Sequence, residues 1–505
     1  MSSPTAEVDP WQGAAAANHI HPDKQPQFFG HPLGLFVLFF TEMWERFSFY
    51  GMRGLLKAYM VYYLCSSASK VFYPTDSPPV PKEVPSNPFN ILGWNLIEAL
   101  PDWMVSMTSV SDFSSSMYGM YTALVYATPF FGGIIADRWL GQRKAVYIGG
   151  IVMALGHFVM ASEQLFLVAL GLLIVGNGFF KPNISTQVGA LYPQGDPRRD
   201  GAFTIFYMGI NLGAFISNIV CGALAVTFGW HYGFGAAGVG LCIGLVMYSF
   251  GRKYLAPEPE RAEKAKQNAA HGPLNGDDWV KVGALCALCV LNIAFWAVYE
   301  QQGNTMQTWA DTQTNWPVIF GFAIPPNWFQ SFNPFMIFML APLLDMFWRS
   351  QAKSGTEPTS VGKMAIGSTI LGLSFVVMMV GAYMIGGGKG SLFWPLACTL
   401  ILTVGELYLS PIGLSLVTKV SPVRIVSMMM GMWLASSFFG NFLSGWIGTF
   451  YDSMPFFYAK AAGGFDWYYA ESRTAFFGLL TLIGIATGAA MWTFNKPLKR
   501  ALGGH

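Results

Sequence analysis

Long apolar runs alternate with short polar segments along most of the chain. Twelve of these runs approach the roughly 20 apolar residues that an α-helix needs to cross the hydrocarbon core of a bilayer. The pattern therefore predicts an all-α membrane protein with twelve spanning helices. The predicted spans are 33–64, 117–137, 144–162, 165–191, 200–226, 233–250, 280–302, 329–349, 362–385, 391–417, 424–448 and 474–493.

Two of the connections between these runs are long. Residues 65–116 are rich in Pro and Ser, and residues 252–279 are highly charged. The second connection divides the spans six and six, which predicts two bundles. The predicted order is a tail at 1–32, a bundle at 33–251, a linker at 252–279, a bundle at 280–493 and a tail at 494–505.

Lys and Arg residues are unevenly distributed over the loops. They concentrate in the C-terminal tail and in the loops after the even-numbered spans. Because basic loops stay on the cytoplasmic side, both termini are predicted to be cytoplasmic and loop 65–116 to lie outside. The loop's apolar stretch, with Trp94 and Trp103, is expected to rest on the membrane interface.

An internal repeat supports the division into two bundles. The spacing Gly-x5-Pro-x10-Pro occurs at Gly176, Pro182 and Pro193 and again 229 residues later, at Gly405, Pro411 and Pro422. Two repeated halves with a substrate site between them, near the membrane midplane, are a known plan of secondary transporters.

The composition agrees with an integral membrane protein and excludes several classes of site. Of the 505 residues, 53% are hydrophobic and 11% are charged, against about 25% charged in a typical soluble domain. A net charge of +2 with dispersed basic residues argues against a nucleic-acid partner. The six scattered cysteines favour packing over a metal or redox site, so no metal or cofactor is expected. The polar, Pro-rich start lacks a cleavable signal pattern, so we expect the first span to direct insertion.

The first span carries charges inside the membrane, in the stretch TEMWERFSFYG at residues 41–51. On a helix of about 100° per residue, Glu42, Glu45, Arg46, Phe49 and Arg53 fall within roughly 100° of each other. Such charges usually face a partner or a water-filled cavity. Neighbouring charges also pair with each other, so structural ion pairs remain an alternative for Glu42, Glu45 and Arg46.

Three other spans place a charge at depth: Lys181, Glu300 and Glu406. Together with the charges of the first span, these residues give four acids and three bases, a net charge of −1. Lys57 would cancel this excess, but it lies near the outer end of the span, where its side chain is expected to snorkel to the membrane interface. Burial without a full set of partners favours the protonated carboxyl group, so one acid is a candidate proton carrier.

A site with cations on one side and acids on the other suits a zwitterion such as a short peptide. Arg53 and Lys181 are candidates for the peptide carboxylate. Asn211, Asn333 and Glu406 are candidates for the amine. Aromatic residues near these charges offer adaptable pockets for side chains, although aromatic residues are abundant throughout the chain.

These motifs resemble the proton-dependent oligopeptide transporters (POT, or PTR, family) of the major facilitator superfamily, over essentially the whole membrane portion. TEMWERFSFYG resembles the family signature E-x-x-E-R-F-x-Y-Y-G, and GGIIADRWLGQRK resembles the superfamily loop motif. GNGFFKPNIST, FTIFYMGINLGAF, FWAVYEQQG, WFQSFNPFMI and GELYLSPIGLSLVTKVSP are similar to further family segments.

The resemblance implies two six-helix bundles around a central cavity, and a symporter that imports di- and tripeptides with protons by alternating access. It implies a multi-pass protein of a bacterial inner membrane, with no cofactor beyond the coupling proton, acting as a monomer. The roles it implies are proton coupling by Glu42, Glu45, Arg46, Lys181 and Glu300; carboxylate binding by Arg53 and Lys181; amine binding by Asn211, Asn333 and Glu406; pocket lining by Phe49, Tyr50, Tyr126, Trp296, Ser410 and Trp433; and gating by Lys181, Glu406, Asp137 and Arg138.

The sequence departs from the family pattern in three respects. Phe49 stands where the signature has Tyr, residues 65–116 form an unusually long loop, and no extra pair of spans separates the bundles. A different anion such as nitrate, or export, is the main alternative. A receptor or an enzyme is disfavoured because no catalytic triad, metal cluster or phosphate loop is evident.

Overall fold

The computed structural model describes residues 19–65, 84–192, 198–257, 274–422, 426–452, 454 and 465–501. These residues contain twelve α-helices of at least 18 residues and two short ones. The helices are α1 Leu33–Tyr59, α2 Trp94–Glu98, α3 Val110–Ile135, α4 Gln142–Val159, α5 Phe166–Ala190, α6 Arg198–Phe228, α7 Trp230–Gly251, α8 Gly276–Tyr299, α9 Thr305–Thr312, α10 Phe332–Lys353, α11 Ser360–Ile385, α12 Phe393–Val420, α13 Val426–Gly448 and α14 Phe465–Ala501.

Short strands form three pairs in the connections. Antiparallel pairs join β1 (Gln27–Phe28) to β2 (His31–Pro32) and β4 (Val318–Ile319) to β5 (Phe322–Ala323). A parallel pair joins β3 (Thr314–Asn315) to β6 (Gly390–Ser391).

Nine helical segments in the described part of the chain are long and apolar enough to cross a membrane. They include α3, α5, α6, α7, α8, α10, α11, α12 and α14. The other three long helices are α1, which carries five charged residues, α4, which begins with Gln-Arg-Lys, and α13. For these three, spanning of the membrane stays a prediction from the sequence.

Capping residues explain why two helices begin before the predicted spans. The Ser109 side chain accepts a hydrogen bond from the Asp112 amide at 3.1 Å, so α3 begins at Val110 rather than at residue 117. Asn275 and Asp278 form a capping box that starts α8 at Gly276 rather than at residue 280. Hydropathy detects where the apolar run begins, and the hydrogen-bonded helix begins earlier.

The long helices form two bundles, each with its own hydrophobic core. In the first bundle α1 packs on α6 and α7, and α4 packs on α5 and α7. In the second bundle α8 packs on α13 and α14, and α11 packs on α12 and α14. The same pattern of neighbours therefore occurs twice along the chain, as the internal repeat predicts.

Backbone contacts between glycines occur at equivalent places in both bundles. A Cβ atom on Gly149 would lie 2.6 Å from the Gly176 carbonyl oxygen, where α4 meets α5. A Cβ atom on Gly367 would likewise lie 2.6 Å from the Gly405 carbonyl oxygen, where α11 meets α12. Small residues let membrane helices approach this closely. Gly176 and Gly405 of the sequence repeat are thus the sites of equivalent helix crossings.

The two bundles meet where α3 packs on α13 and α6 packs on α10. Five hydrogen-bonded or ion-paired contacts between described residues of the two bundles lie toward one end, which we call the closed end. They join Arg53 to Glu300, Lys57 to Asn304, Asn327 to the carbonyl of Asn218, Trp328 to the carbonyl of Ile219 and Ser331 to the carbonyl of Phe215.

The described part of loop 65–116 packs against the first bundle. Trp94 is buried and lies 5.3 Å from Phe113 between ring centroids, and the Leu92 amide donates to the Gln164 carbonyl at 2.8 Å. The expectation that Trp94 rests on the membrane interface is therefore wrong, because the indole packs on the first turn of α3 instead. Trp103 is exposed.

The segment before α1 is fastened to the beginning of the linker. Arg143 donates to the carbonyl oxygens of Leu255, at 3.2 Å, and Ala256, and also contacts the His19 ring. Burial and the positive charges of Arg143 and Arg252 lower the pKa of His19. Arg143, in the loop motif GGIIADRWLGQRK, therefore joins the segment before α1 to the beginning of the linker at this end of the first bundle.

We expect Gly119→Ala to destabilise the protein, whereas Gly171→Ala stabilises it or leaves it unchanged. A Cβ atom on Gly119 would lie 2.4 Å from the Gly445 Cα atom, at the crossing of α3 and α13, whereas nothing lies within 4 Å of a Cβ atom on Gly171. Both changes gain about 1 kcal/mol of helix propensity, but overpacking at Gly119 costs about 1–3 kcal/mol. Thermal unfolding of the purified variants in detergent measures the difference. Equal unfolding temperatures would show that α3 and α13 can move apart at this crossing without a measurable loss of stability.

Candidate functional site

A cavity of about 300 Å³ lies between the two bundles. Side chains from both bundles line it, and thirteen of the seventeen predicted site residues are among them. They are Glu42, Arg46, Tyr50, Arg53, Tyr126, Lys181, Asn211, Trp296, Glu300, Asn333, Glu406, Ser410 and Trp433. The predicted convergence of charges from separate helices therefore occurs in the structure.

The charges of TEMWERFSFYG form a buried cluster on α1. Arg46 donates through both Nε and Nη2 to Glu45, with the Nη2 bond at 2.7 Å, and lies 3.2 Å from Glu42. The second carboxylate oxygen of Glu42, Oε2, has no hydrogen-bond partner among the described residues. The cluster therefore combines a carboxylate held at both oxygens with one that keeps an oxygen available beside the cavity.

Arg53, two helical turns further along α1, bridges the two bundles. Its Nη2 atom contacts the Glu300 carboxylate at the end of α8, and its Nε atom donates to the Tyr118 hydroxyl at 2.6 Å. The Phe49 ring lies beneath the guanidinium groups of Arg46 and Arg53, at 5.2 and 5.9 Å from their Cζ atoms. Phe49 thus supports the arginines by cation–π contact rather than lining the cavity.

Lys181 is the cavity cation without a carboxylate within 4.0 Å among the residues that the structure describes. Its Nζ atom lies over the Tyr126 ring, 4.5 Å from the centroid. The charges of Arg46, Glu45 and Glu42 act on it from α1. Lys181 and Glu406, both predicted to take part in gating, form no ion pair with each other in this structure, and the Lys181 ammonium group faces the cavity.

Glu406 lies on the opposite wall, on α12. The Asn333 side chain donates to Glu406 Oε2 at 2.8 Å and to the Thr403 hydroxyl at 3.1 Å. The Tyr299 hydroxyl makes a long contact, 3.5 Å, with Asn333 Oδ1. Within the described residues no cation lies within 4.0 Å of Glu406. A buried carboxylate held by neutral donors offers its charge to a ligand cation.

The remaining lining residues give the cavity apolar and hydrogen-bonding surface. Asn211 is tied through its amide nitrogen to the Tyr207 carbonyl at 3.0 Å. The indole nitrogen of Trp296 has no hydrogen-bond partner among the described residues, so it is available as a donor. Tyr50, Ser410 and Trp433 complete the predicted pocket.

Four predicted site residues lie outside the cavity lining. Glu45 is buried behind Arg46, and Phe49 lies under the arginines. Arg138, predicted as a gating residue, is exposed in the helical turn Ala136–Leu140 that follows α3. The side chain of Asp137 lies outside the described residues.

Sequence reasoning missed several polar side chains of the site. Tyr118 holds Arg53, and Tyr207, Tyr299, Gln302 and Gln330 line the cavity. Four of the five occur inside the quoted motifs FTIFYMGINLGAF, FWAVYEQQG and WFQSFNPFMI. The free energy of placing a neutral polar side chain in the membrane is too small to distinguish these residues from packing residues. Only their positions near Asn211, Glu300 and Asn333 in the sequence could have indicated them.

Comparison with known proteins shows extensive similarity to one family. The model of the POT family matches residues 143–271 and 274–463. The chain is 33% identical over 492 residues to the peptide transporter YePEPT of Yersinia enterocolitica, covering 83% of this chain and 88% of the relative. It is 31% identical over 540 residues to a di-/tripeptide transporter of Lactococcus lactis subsp. cremoris, covering 94% and 97%.

Solved structures show the same similarity. A crystal structure of the peptide transporter POT in complex with sulfate matches with a TM-score of 0.74 and 30% identity, covering 96% of this chain and 98% of that one. A POT family transporter in complex with 5-aminolevulinic acid matches with a TM-score of 0.74 and 26% identity, covering 95% and 99%. The two-bundle fold, the charged cavity between the bundles and these matches together establish that the chain belongs to the POT family of transporters.

Proposed function

We propose that the protein is a monomeric symporter that imports di- and tripeptides together with protons, by alternating access, across the cytoplasmic membrane of a bacterium. The names of the relatives support peptides as the substrate class. The observation that carries the proposal is the charge pattern of the cavity: Lys181 on one wall and Glu406 on the other, neither with an ionic partner within 4.0 Å among the described residues. A dipeptide presents the complementary pair, a carboxylate and an ammonium group.

In this proposal the peptide carboxylate binds Lys181 first. Arg53 is already held by Glu300 and becomes available only when that ion pair separates. The peptide ammonium group binds Glu406 and the amide oxygens near it. Trp296 and Tyr126 contact the side chains of the peptide, which vary in size.

The proton reaches the site through carboxylates whose charge controls these contacts. Glu42 is the favoured acceptor, because a proton on its unpartnered oxygen breaks no hydrogen bond, whereas both oxygens of Glu45 are held by Arg46. A proton on Glu300 removes the charge that holds Arg53 and frees the guanidinium group for the peptide carboxylate. Each charge that moves inward releases about 2.3 kcal/mol per 100 mV of membrane potential.

The orientation follows from the distribution of basic residues. With both termini in the cytoplasm, the closed end faces outside, because it contains the C-terminal parts of α1 and α8. The structure then corresponds to an inward-facing state. Return to the outward-facing state requires the contacts of the closed end to break and a contact such as Lys181–Glu406 to form at the other end.

Uptake by purified protein in proteoliposomes tests the proposal. Labelled Ala-Ala is expected to accumulate when the outside is acidic and the inside is negative, and to equilibrate without accumulation after a protonophore is added. An excess of unlabelled Ala-Ala should abolish uptake of the label, while nitrate should not compete, because it has no group for Glu406. Uptake that is indifferent to the proton gradient would contradict symport, and competition by nitrate would favour an anion carrier.

A further inference from the structure

Lys57 is a buried lysine that bridges the two bundles outside the cavity. Its side chain, expected to snorkel toward the interface, is only 4% exposed. Its Nζ atom donates to the Asn304 side-chain oxygen at 2.5 Å and to the Asn304 carbonyl at 3.0 Å. Asn304 lies between α8 and α9 of the second bundle, so this contact closes the space between the bundles.

The Lys57–Asn304 contact repeats the Arg53–Glu300 contact one helical turn further along. Lys57 follows Arg53 by four residues on α1, and Asn304 follows Glu300 by four residues in the second bundle. Residues four apart lie on the same face of a helix, as Arg53 and Lys57 do on α1, and Glu300 and Asn304 both lie in the turn that joins α8 to α9. The two contacts are therefore consecutive cross-links at the closed end, the first between two charges and the second between a charge and a neutral amide.

Asn304 is held in place from the second bundle. Its amide nitrogen donates to the Ser444 carbonyl at 3.3 Å, and a Cβ atom on Gly448 would lie 2.4 Å from it. The negative charges of Asp311, Asp452 and Asp112 act on Lys57 from both bundles. The fixed Asn304 side chain and the nearby carboxylates together form a binding site for the lysine ammonium group at the end of α13.

We propose that Lys57 is a positioning residue of the transport cycle, whose contact with Asn304 keeps the closed end shut while the Arg53–Glu300 pair opens inside it. The proposal rests on alternating access as the proposed function. Asn304 is a neutral amide, so a proton that neutralises Glu300 removes no charge from the Lys57–Asn304 contact itself. The peptide and proton can then exchange partners in the cavity without a path opening back through the closed end.

Hydrogen–deuterium exchange of the substrate-free protein in lipid nanodiscs tests the proposal. In Lys57→Met, backbone amides at the closed end, around Gly119 and Gly445, are expected to exchange about tenfold faster, because a hydrogen bond to a charged group carries a factor of that order. Amides at the opposite end, around Phe130 and Gly431, which already contact each other between the bundles, should exchange more slowly, because the bundles close further there. In Asn304→Asp, which turns the contact into an ion pair, both changes should reverse in sign.

The control is Lys363→Met, which removes a buried lysine that binds Glu357 within the second bundle. It should leave exchange at the closed end unchanged. Faster exchange at both ends in Lys57→Met, or no change at either end, would overturn the proposal. A purely structural lysine would loosen the whole protein, so that exchange rates would rise at both ends and not in opposite directions. The measurement needs no substrate or gradient. Failure of Ala-Ala uptake with intact exchange shifts would thus refute the proposed function and leave the role of Lys57 standing.

Discussion

Replacement of Glu45 by Gln is expected to abolish accumulation of Ala-Ala against its gradient while retaining counterflow. Glu45 is fully buried and holds Arg46 through both oxygens, so its charge fixes Arg46 beside Glu42, the proposed proton acceptor. Glutamine has the same shape but no negative charge, so Arg46 binds Glu42 more strongly and keeps that carboxylate ionised. A potential of ~100 mV supports about 50-fold accumulation per charge carried inward, and in the variant the ratio of internal to external peptide should fall to about one.

The measurement is the steady-state ratio of labelled Ala-Ala in proteoliposomes, with counterflow at equal pH as the companion assay. Glu98→Gln provides the matched control, because Glu98 on α2 is exposed and accepts a hydrogen bond from Trp94 through one oxygen, which glutamine also supplies. It should behave as the wild type. Wild-type accumulation by Glu45→Gln would remove Glu45 from the coupling machinery.

Lys181→Ala is expected to reduce both gradient-driven uptake and counterflow, because it removes the positive charge that is proposed to bind the peptide carboxylate. Loss of a hydrogen bond to a charged group lowers affinity by about 10- to 150-fold, and the apparent KM in counterflow should rise accordingly. The sharper test uses a second substrate. Ala-Ala amide, which lacks the carboxylate, should be transported equally poorly by wild type and variant.

Lys363→Ala serves as the control for Lys181→Ala, since Lys363 is a buried lysine that contacts Glu357 and Trp348 away from the cavity. Its uptake and counterflow should stay close to those of the wild type. If Lys181→Ala affected Ala-Ala and its amide by the same factor, the lysine would not recognise the carboxylate, and its role would be limited to the α1 cluster.

The charges of the site were predictable from the sequence because each is costly in a membrane. Glu42, Arg53, Lys181, Glu300 and Glu406 stand out in apolar runs for that reason alone, and the structure brings all five to one cavity. Their pairing was less predictable. Lys57 was assigned to the interface by its position near a span end, but the burial of Asn304 beside it depends on how two distant segments pack.

The helices were predictable from the apolar runs and their ends were not. The start of α8 depends on side chains of Asn275 and Asp278, which hydropathy ignores. Trp94 shows the same limit in a loop: an aromatic residue in an apolar stretch suits the membrane interface and a protein core equally well, and only the position of Phe113 decides between them.

The paired glycine crossings have a mechanical consequence for the cycle. Where α4 meets α5 and α11 meets α12, the backbones of paired glycines approach so closely that little side-chain volume is left to compress, so each bundle is expected to move as a rigid body. A helix of 26 residues such as α3 is about 39 Å long, and tilting it by roughly 10° carries its far tip about 7 Å. Loss of a few contacts between the bundles at one end of the cavity therefore produces a movement of several ångströms at the other end.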